Sequence, residues 1–149
     1  MFHEWVARFE RKKDAEGTLR VLVLDDEIAR LRKFRQALIG HLVELTSTVD
    51  EVLERLQNET WDYVFLDHDL AGKINMPSGP GTGYEVAEWL AAHPDRQPKH
   101  IVIHSFCEHG RQNMKNILPN AEVRPGAWLL IESGEAWTDL KFKPITTVG

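Results

Sequence analysis

Intrachain disulfides are excluded at the outset, because Cys107 is the single cysteine in 149 residues, and a lone thiol fits a reducing compartment. Long apolar runs are missing too. No stretch approaches the roughly 18 residues of a membrane span, and nothing at Met1 has the pattern of a signal peptide, so no membrane partner and a cytoplasmic location are expected. Positive charge is in short supply: 18 Lys and Arg stand against 23 Asp and Glu, a net charge of −5. That balance argues against general DNA binding and against a membrane-surface role, while leaving room for a small anionic ligand. Low-complexity segments and internal repeats are likewise absent. What remains is 42% hydrophobic and 28% charged, the composition of one globular domain, taken as residues 1–149, able to bury one core.

The apolar pattern alternates between two periods. Val21 to Leu24, Trp61 to Leu66 and His100 to Ser105 read as strands buried on both faces. Leu42 to Thr46 and Ala121 to Arg124 read as shorter ones. Between them, Ile28, Leu31, Phe34 and Leu38 recur at helical spacing, as do Val49, Val52, Leu53 and Leu56 behind the capping pattern Thr48 to Glu51. Thr82 and Glu85 make a second capping pattern before YEVAEWLAAH, and a further helix is expected from His109 to Leu118, ended by Pro119. Strands and helices in this rhythm predict an α/β fold: a central parallel sheet covered on both faces, a three-layer sandwich with its core over about 20–125. Phe2, Trp5, Val6 and Phe9 predict an extra amphipathic N-terminal helix over 2–13. In the extension 126–149, WLLIESGEAWTDLKF with Ser133-Gly134 at its centre predicts a hairpin in place of a last helix.

Ligands of such sheets bind at the carboxyl ends of the strands. Asp25 and Asp26 end one strand, Asp67 another, Ser105 a third and Arg124 a fourth. Clustered carboxylates repel unless a cation joins them, and an all-oxygen set selects Mg2+ or Mn2+ over zinc, so Asp25, Asp26 and Asp67 are the expected metal ligands. A solvated helix N-terminus is the plainer reading of Asp25-Asp26 taken alone. Alternation along a strand puts Asp67 and Asp69 on one face and His68 on the other, unless the strand has already ended at Asp67; His104 stands in the same relation to Ser105. The Gly- and Pro-rich loop from Ala71 to Thr82 is about twice the usual connector length and is expected to act as a flap, from which Lys73 can reach an anion.

These residues resemble a response-regulator receiver domain, a flavodoxin-like fold. LDDE is similar to its acidic metal-binding turn, WDYVFLD to the strand ending in the phospho-acceptor Asp67, and GTGYEVAEWL to its glycine-led third helix. Ser105 stands where receivers contact the phosphoryl group through a hydroxyl, and Arg124-Pro125 where they carry Lys-Pro. LDHDL, the longer loop, IHSxxxxG and Asn113-Met114 are closer to a divergent branch, the cyclic-phosphate-processing receiver-like domains, although Cys107 replaces an Asn of that pattern. The resemblance implies metal-dependent hydrolysis of a cyclic phosphate on a nucleotide or RNA end. Asp67, His68, Asp69 and His104 would be catalytic, with a histidine as acid or water-positioning group. Ser105, Arg124 and Lys73 would bind phosphate. Two other readings stay open: a stand-alone receiver phosphorylated on Asp67, and a non-catalytic module that holds a protein partner through the N-terminal helix or the C-terminal hairpin.

Overall fold

The computed structural model describes residues 18–132 and 139–144. The helix expected over 2–13 and the Ser133-Gly134 turn lie outside the described residues. The apolar runs form β1 (Arg20–Leu24), β3 (Tyr63–Leu66) and β4 (His100–Ile103), flanked by β2 (Leu42–Thr46) and β5 (Glu122–Val123). All pairs are parallel, in the order β2-β1-β3-β4-β5. Successive side chains leave a strand on opposite faces. Leu22, Leu24, Val64, Leu66, Ile101 and Ile103 therefore enter one apolar cluster, and Val21, Val23, Tyr63, Phe65 and Val102 enter the other. Both faces are covered, which is why these strands are apolar throughout instead of alternating.

The first cluster is closed by α2 (Val49–Asn58), α3 (Gly83–Ala92) and α4 (Glu108–Ile117), through residues such as Val52, Leu56, Val86, Leu90 and Met114. The second is closed by α1 (Ile28–Ala37), whose Phe34 is fully buried, and by the helical turn α5 (Ala127–Leu130) through Trp128. Thr48 and Glu51 complete a reciprocal capping box at α2. At α3, Thr82 caps Tyr84 N–H, but the Glu85 carboxylate accepts from Gly81 N–H, one residue earlier than the box requires.

After α5, which the sequence pattern does not set apart from the first hairpin arm, the chain reverses. Ile131 pairs antiparallel with Phe142, and Leu140 N–H donates to the Tyr63 hydroxyl at 2.9 Å. No helix among the described residues is long and apolar enough to cross a membrane.

Candidate functional site

Strand order reverses between β1 and β3, and a crevice opens beyond their carboxyl ends. Three side chains reach it by the same period-2 logic: Asp25 follows Val23, Asp67 follows Phe65 and His104 follows Val102, so all three emerge on the α1 side of the sheet. The ladder runs one residue past each strand, with Asp25 N–H donating to Thr46 C=O, Asp67 N–H to Leu24 C=O and His104 N–H to Leu66 C=O. The three groups are thereby held on sheet backbone. The cleft above them has a volume of about 410 Å³ and is lined by Asp26, Glu27, Arg30, Asp67, Asp69, Lys73, His104, Ser105, Phe106 and Trp128, among others.

The charge at its floor is organised by Arg30, one turn into α1. Its Nη2 stands 2.9 Å from Asp25 Oδ1, 3.4 Å from Asp67 Oδ2 and 3.6 Å from Asp26 Oδ1, while Nη1 is 2.9 Å from Glu27 Oε2. The guanidinium also lies over the Trp128 ring, 5.6 Å from its centroid. Three carboxylates from two strand ends thus converge on one cationic group, the donor chemistry a divalent ion requires. The donor set fits an oxygen-preferring ion, and Arg30 lies against the same carboxylates.

Asp25 is completely buried. Burial raises its carboxyl, but hydrogen bonds from His104 and Arg30 and the Glu27 N–H outweigh that and bring it down from 3.8 to about 2. Asp67 goes the other way. Burial dominates, the neighbouring charge of Asp25 adds to it, and the carboxyl is pushed up from 3.8 to about 6 despite His104, the His68 N–H and Arg30. An ionised Asp25 can only accept, so His104 Nε2 carries the proton of their 2.9 Å bond. The other ring nitrogen, Nδ1, is buried and has no hydrogen-bond partner among the described residues. Ser105 accepts from Cys107 N–H at 3.0 Å, which leaves its own hydroxyl proton to donate.

His68 is not brought to the cleft. Asp67 and Asp69 share the cleft face and the His68 ring goes behind them, as alternation requires. Its Nδ1 lies 2.7 Å from Asp69 Oδ1 and its Nε2 3.0 Å from Ser78 Oγ, which in turn accepts from Asn113 Nδ2 at 2.9 Å. Burial raises the Asp69 carboxyl, but His68 and the N–H groups of Asn75 and Met76 together hold it below its ordinary value.

Those contacts also correct the picture of the loop over 71–82 as a flap. Gly72 N–H donates to Asp26, the His109 ring bonds Met76 C=O, and Ser78 is tied to His68, so the loop is stapled to the site. Positive φ at Ala71, Gly72, Asn75 and Gly81 lets it make the necessary turns. Lys73 lines the cleft and makes no ion pair among the described residues. Arg124 is not brought to the cleft: Glu122, two residues earlier on the same side of the strand, takes its Nε at 2.8 Å, and its guanidinium stacks 4.1 Å from the centroid of Phe142.

Sequence reasoning passed over Arg30 and Phe106. The i,i+3 and i,i+4 spacing of Arg30 from Glu27 and Asp26 is a usable signal for the first. None exists for the second, a phenylalanine that is 64% exposed on the cleft wall. The glycine that leads α3 has a clear physical role. A Cβ on Gly83 would lie 1.7 Å from the backbone oxygen of Asp67, and Gly83 N–H donates to His68 C=O at 2.8 Å. Backbone cannot yield as a side chain can, so Gly83→Ala is expected to cost about 1–3 kcal/mol by overpacking, measurable by urea unfolding.

Comparison with known proteins agrees with this geometry. No curated protein matches the chain. Among solved structures, the phosphorylated cyanobacterial phytochrome response regulator RcpA superposes with a TM-score of 0.59 at 18% identity, over 72% of this chain and 80% of that one. A CheY-like receiver domain from Methanospirillum hungatei gives 0.56 at 23% identity, over 72% and 80%. Response regulator TrrA from Thermotoga maritima, solved in complex with Mg2+ and BeF, gives 0.56 at 21% identity, over 72% and 85%. These likenesses show the flavodoxin-like receiver fold. The sequence profile named cyclic-phosphate processing receiver domain matches residues 20–120, and with that match over most of the chain, the protein belongs to the family of cyclic-phosphate-processing receiver domains.

Proposed function

We propose that the strand-tip cleft hydrolyses a cyclic phosphate on a nucleotide or RNA end. The observation that carries this reading is the convergence of Asp25, Asp26 and Asp67 on one cationic position beside His104 and Ser105. Asp25, Asp26 and Asp67 would hold Mg2+ or Mn2+, which when bound draws charge from the phosphoryl oxygens. Ser105 donates its hydroxyl proton to one of those oxygens, and Lys73 supplies positive charge from the loop. His104 is fixed through Nε2 by Asp25, so Nδ1 is the nitrogen with a lone pair to spare. The water gives up a proton as the new P–O bond forms and the ribose oxygen takes one up as the ring P–O bond breaks; with Nδ1 enclosed by the packing of the ring, His104 would have to turn into the cleft to exchange them. Phe106, exposed and edge-on to Trp128 at 5.6 Å, offers a face on which a base can stack. Asp69 and His68 act at one remove, Asp69 by anchoring the loop that carries Lys73.

Asp67 at the tip of β3 also favours a second reading, a receiver phosphorylated on that carboxylate, since phosphorylated RcpA shares the fold. Two measurements separate them. Turnover of 2′,3′-cyclic nucleotides or cyclic-phosphate-ended RNA in Mg2+ or Mn2+ supports hydrolysis; a stable phosphoryl adduct on Asp67 from a small phosphodonor, with no turnover, supports the receiver. Under either reading, Lys73→Ala is expected to weaken binding of a phosphate analogue by about 3- to 10-fold. Its thermal stability should barely change, because an exposed loop lysine with no ion pair among the described residues has little to lose.

A further inference from the structure

Beside Asp69, along the wall of the cleft that Cys107 helps to line, a second group of donors meets. One donor atom each from His68, Cys107 and His109 lie within 4.8 Å of one another. Cys107 Sγ is 3.5 Å from both ring nitrogens of His109. The Asp69 carboxylate touches His68 Nδ1 at 2.7 Å. We propose that His68, Cys107 and His109, with Asp69 beside them, form a binding site for zinc whose ligands are distinct from the strand-tip carboxylates.

The donor types decide the metal. Thiolate and imidazole select zinc among the common divalent ions, whereas Mg2+ prefers the all-oxygen set at the strand tip. In a tetrahedral zinc site with bonds of about 2.0–2.3 Å, neighbouring donors stand roughly 3.4–3.6 Å apart. Cys107 and His109 already have that spacing; the pairs with His68 lie within 4.8 Å and need a contraction of at most about an ångström, while Asp69, at 2.7 Å from His68 Nδ1, would have to move outward by about as much to join them.

The surroundings are those of a metal site. His68 and Cys107 are buried while His109 is exposed, so two ligands sit on packed backbone and the third forms the door. Ser78 and Asn113 hold the far nitrogen of His68, the outer hydrogen bonds that orient a ligating imidazole. Gly110 leaves room for the ring: a Cβ there would lie 2.3 Å from His68 Cγ.

Without metal, burial pushes the Cys107 thiol up, so the thiol is protonated and a poor nucleophile. Binding the ion releases the thiol proton, and Sγ becomes a ligand. The site would join the end of β3, the loop over 71–82 and the start of α4 into one unit.

Cobalt titration of the reduced full-length chain tests this, because only a thiolate ligand produces sulfur-to-cobalt charge-transfer absorption in the near ultraviolet. One equivalent of Co2+ should generate that absorption, and zinc should abolish it by displacement. Cys107→Ser should remove it while leaving the unfolding midpoint in chelator close to wild type. His109→Ala, a change at an exposed position, should weaken binding by more than the roughly 10- to 100-fold that loss of a supporting hydrogen bond costs. Asp67→Asn should leave the absorption unchanged, since the strand-tip carboxylates are not its ligands. The proposal is overturned if wild type shows no charge-transfer band, if the band survives in His109→Ala at full affinity, or if Asp67→Asn rather than Cys107→Ser abolishes metal binding.

Discussion

Replacing Asp25 with alanine is expected to destabilise the protein by about 3–5 kcal/mol, the cost of stranding buried charge and donors when one partner is removed. Asp25 accepts from Glu27 N–H, from Arg30 through Nε and Nη2, and from His104 Nε2. The His104 donor would have no replacement, since its ring is packed edge-on against Phe34 and Trp128. Denaturant unfolding of wild type and variant at pH 7 in chelator measures the loss, and a cost under about 1 kcal/mol would show that water replaces the lost partner. The pH dependence has a definite sign. The carboxyl is depressed from 3.8 to about 2, so its contribution, about 2 kcal/mol, is present above pH 4 and is lost as pH falls through 2. Asp25→Ala should therefore erase an acid-side loss of stability that wild type shows.

Asp67→Asn is expected to do the opposite to stability while removing function. The carboxyl is raised from 3.8 to about 6. The folded state then holds a proton that the unfolded chain has given up, and between pH 4 and 6 stability falls as pH rises. The full penalty, about 3 kcal/mol, is in force above pH 6 and absent below pH 4. An amide carries no such penalty and keeps the bond from His68 N–H through its oxygen. At pH 7 to 8 in chelator the variant should be about 1–3 kcal/mol more stable than wild type, with the advantage vanishing near pH 4. Millimolar Mg2+ or Mn2+ should raise the wild-type melting temperature and leave Asp67→Asn almost unmoved, because a divalent ion bound to the carboxylate offsets the same burial penalty from the native side. Equal stability of the two proteins across this pH range would mean that Asp67 is solvated like an ordinary surface carboxylate.

Both effects follow from residues whose placement the sequence largely discloses. The apolar runs ending in Asp25, Asp67 and His104 announce parallel strands. The period-2 rule, applied from Val23, Phe65 and Val102, carries all three side chains to the α1 side of the sheet. The same rule takes His68 behind Asp69. His104 and Ser105 both reach the cleft because β4 stops at Ile103, and a strand's last residue is the boundary that pattern reading locates least well.

Contacts between elements distant in sequence are harder to read. Arg30 meets Asp67 across 37 positions, and Glu122 and Phe142 withdraw Arg124 from the cleft; which partner wins depends on geometry that only the folded chain defines. The loop over 71–82 has the composition of a mobile connector, yet the carboxylates of Asp26 and Asp69 bind its backbone N–H groups. Nothing in a Gly-Pro-rich string encodes that anchorage.

If an ion binds among Asp25, Asp26 and Asp67 as proposed, the guanidinium of Arg30, which contacts all three, has to swing away to admit it, and the protein would divide between closed and open forms. Only the form in which Arg30 has swung away can take up an ion, so the apparent dissociation constant is the intrinsic one divided by the open fraction. Every 1.4 kcal/mol that favours the closed form weakens apparent metal affinity tenfold. Whatever draws Arg30 outward, including the phosphate oxygens of an incoming ligand, raises that fraction. Ion and anionic ligand would then bind with positive cooperativity, each strengthening the other by the same factor, over and above any direct attraction between them.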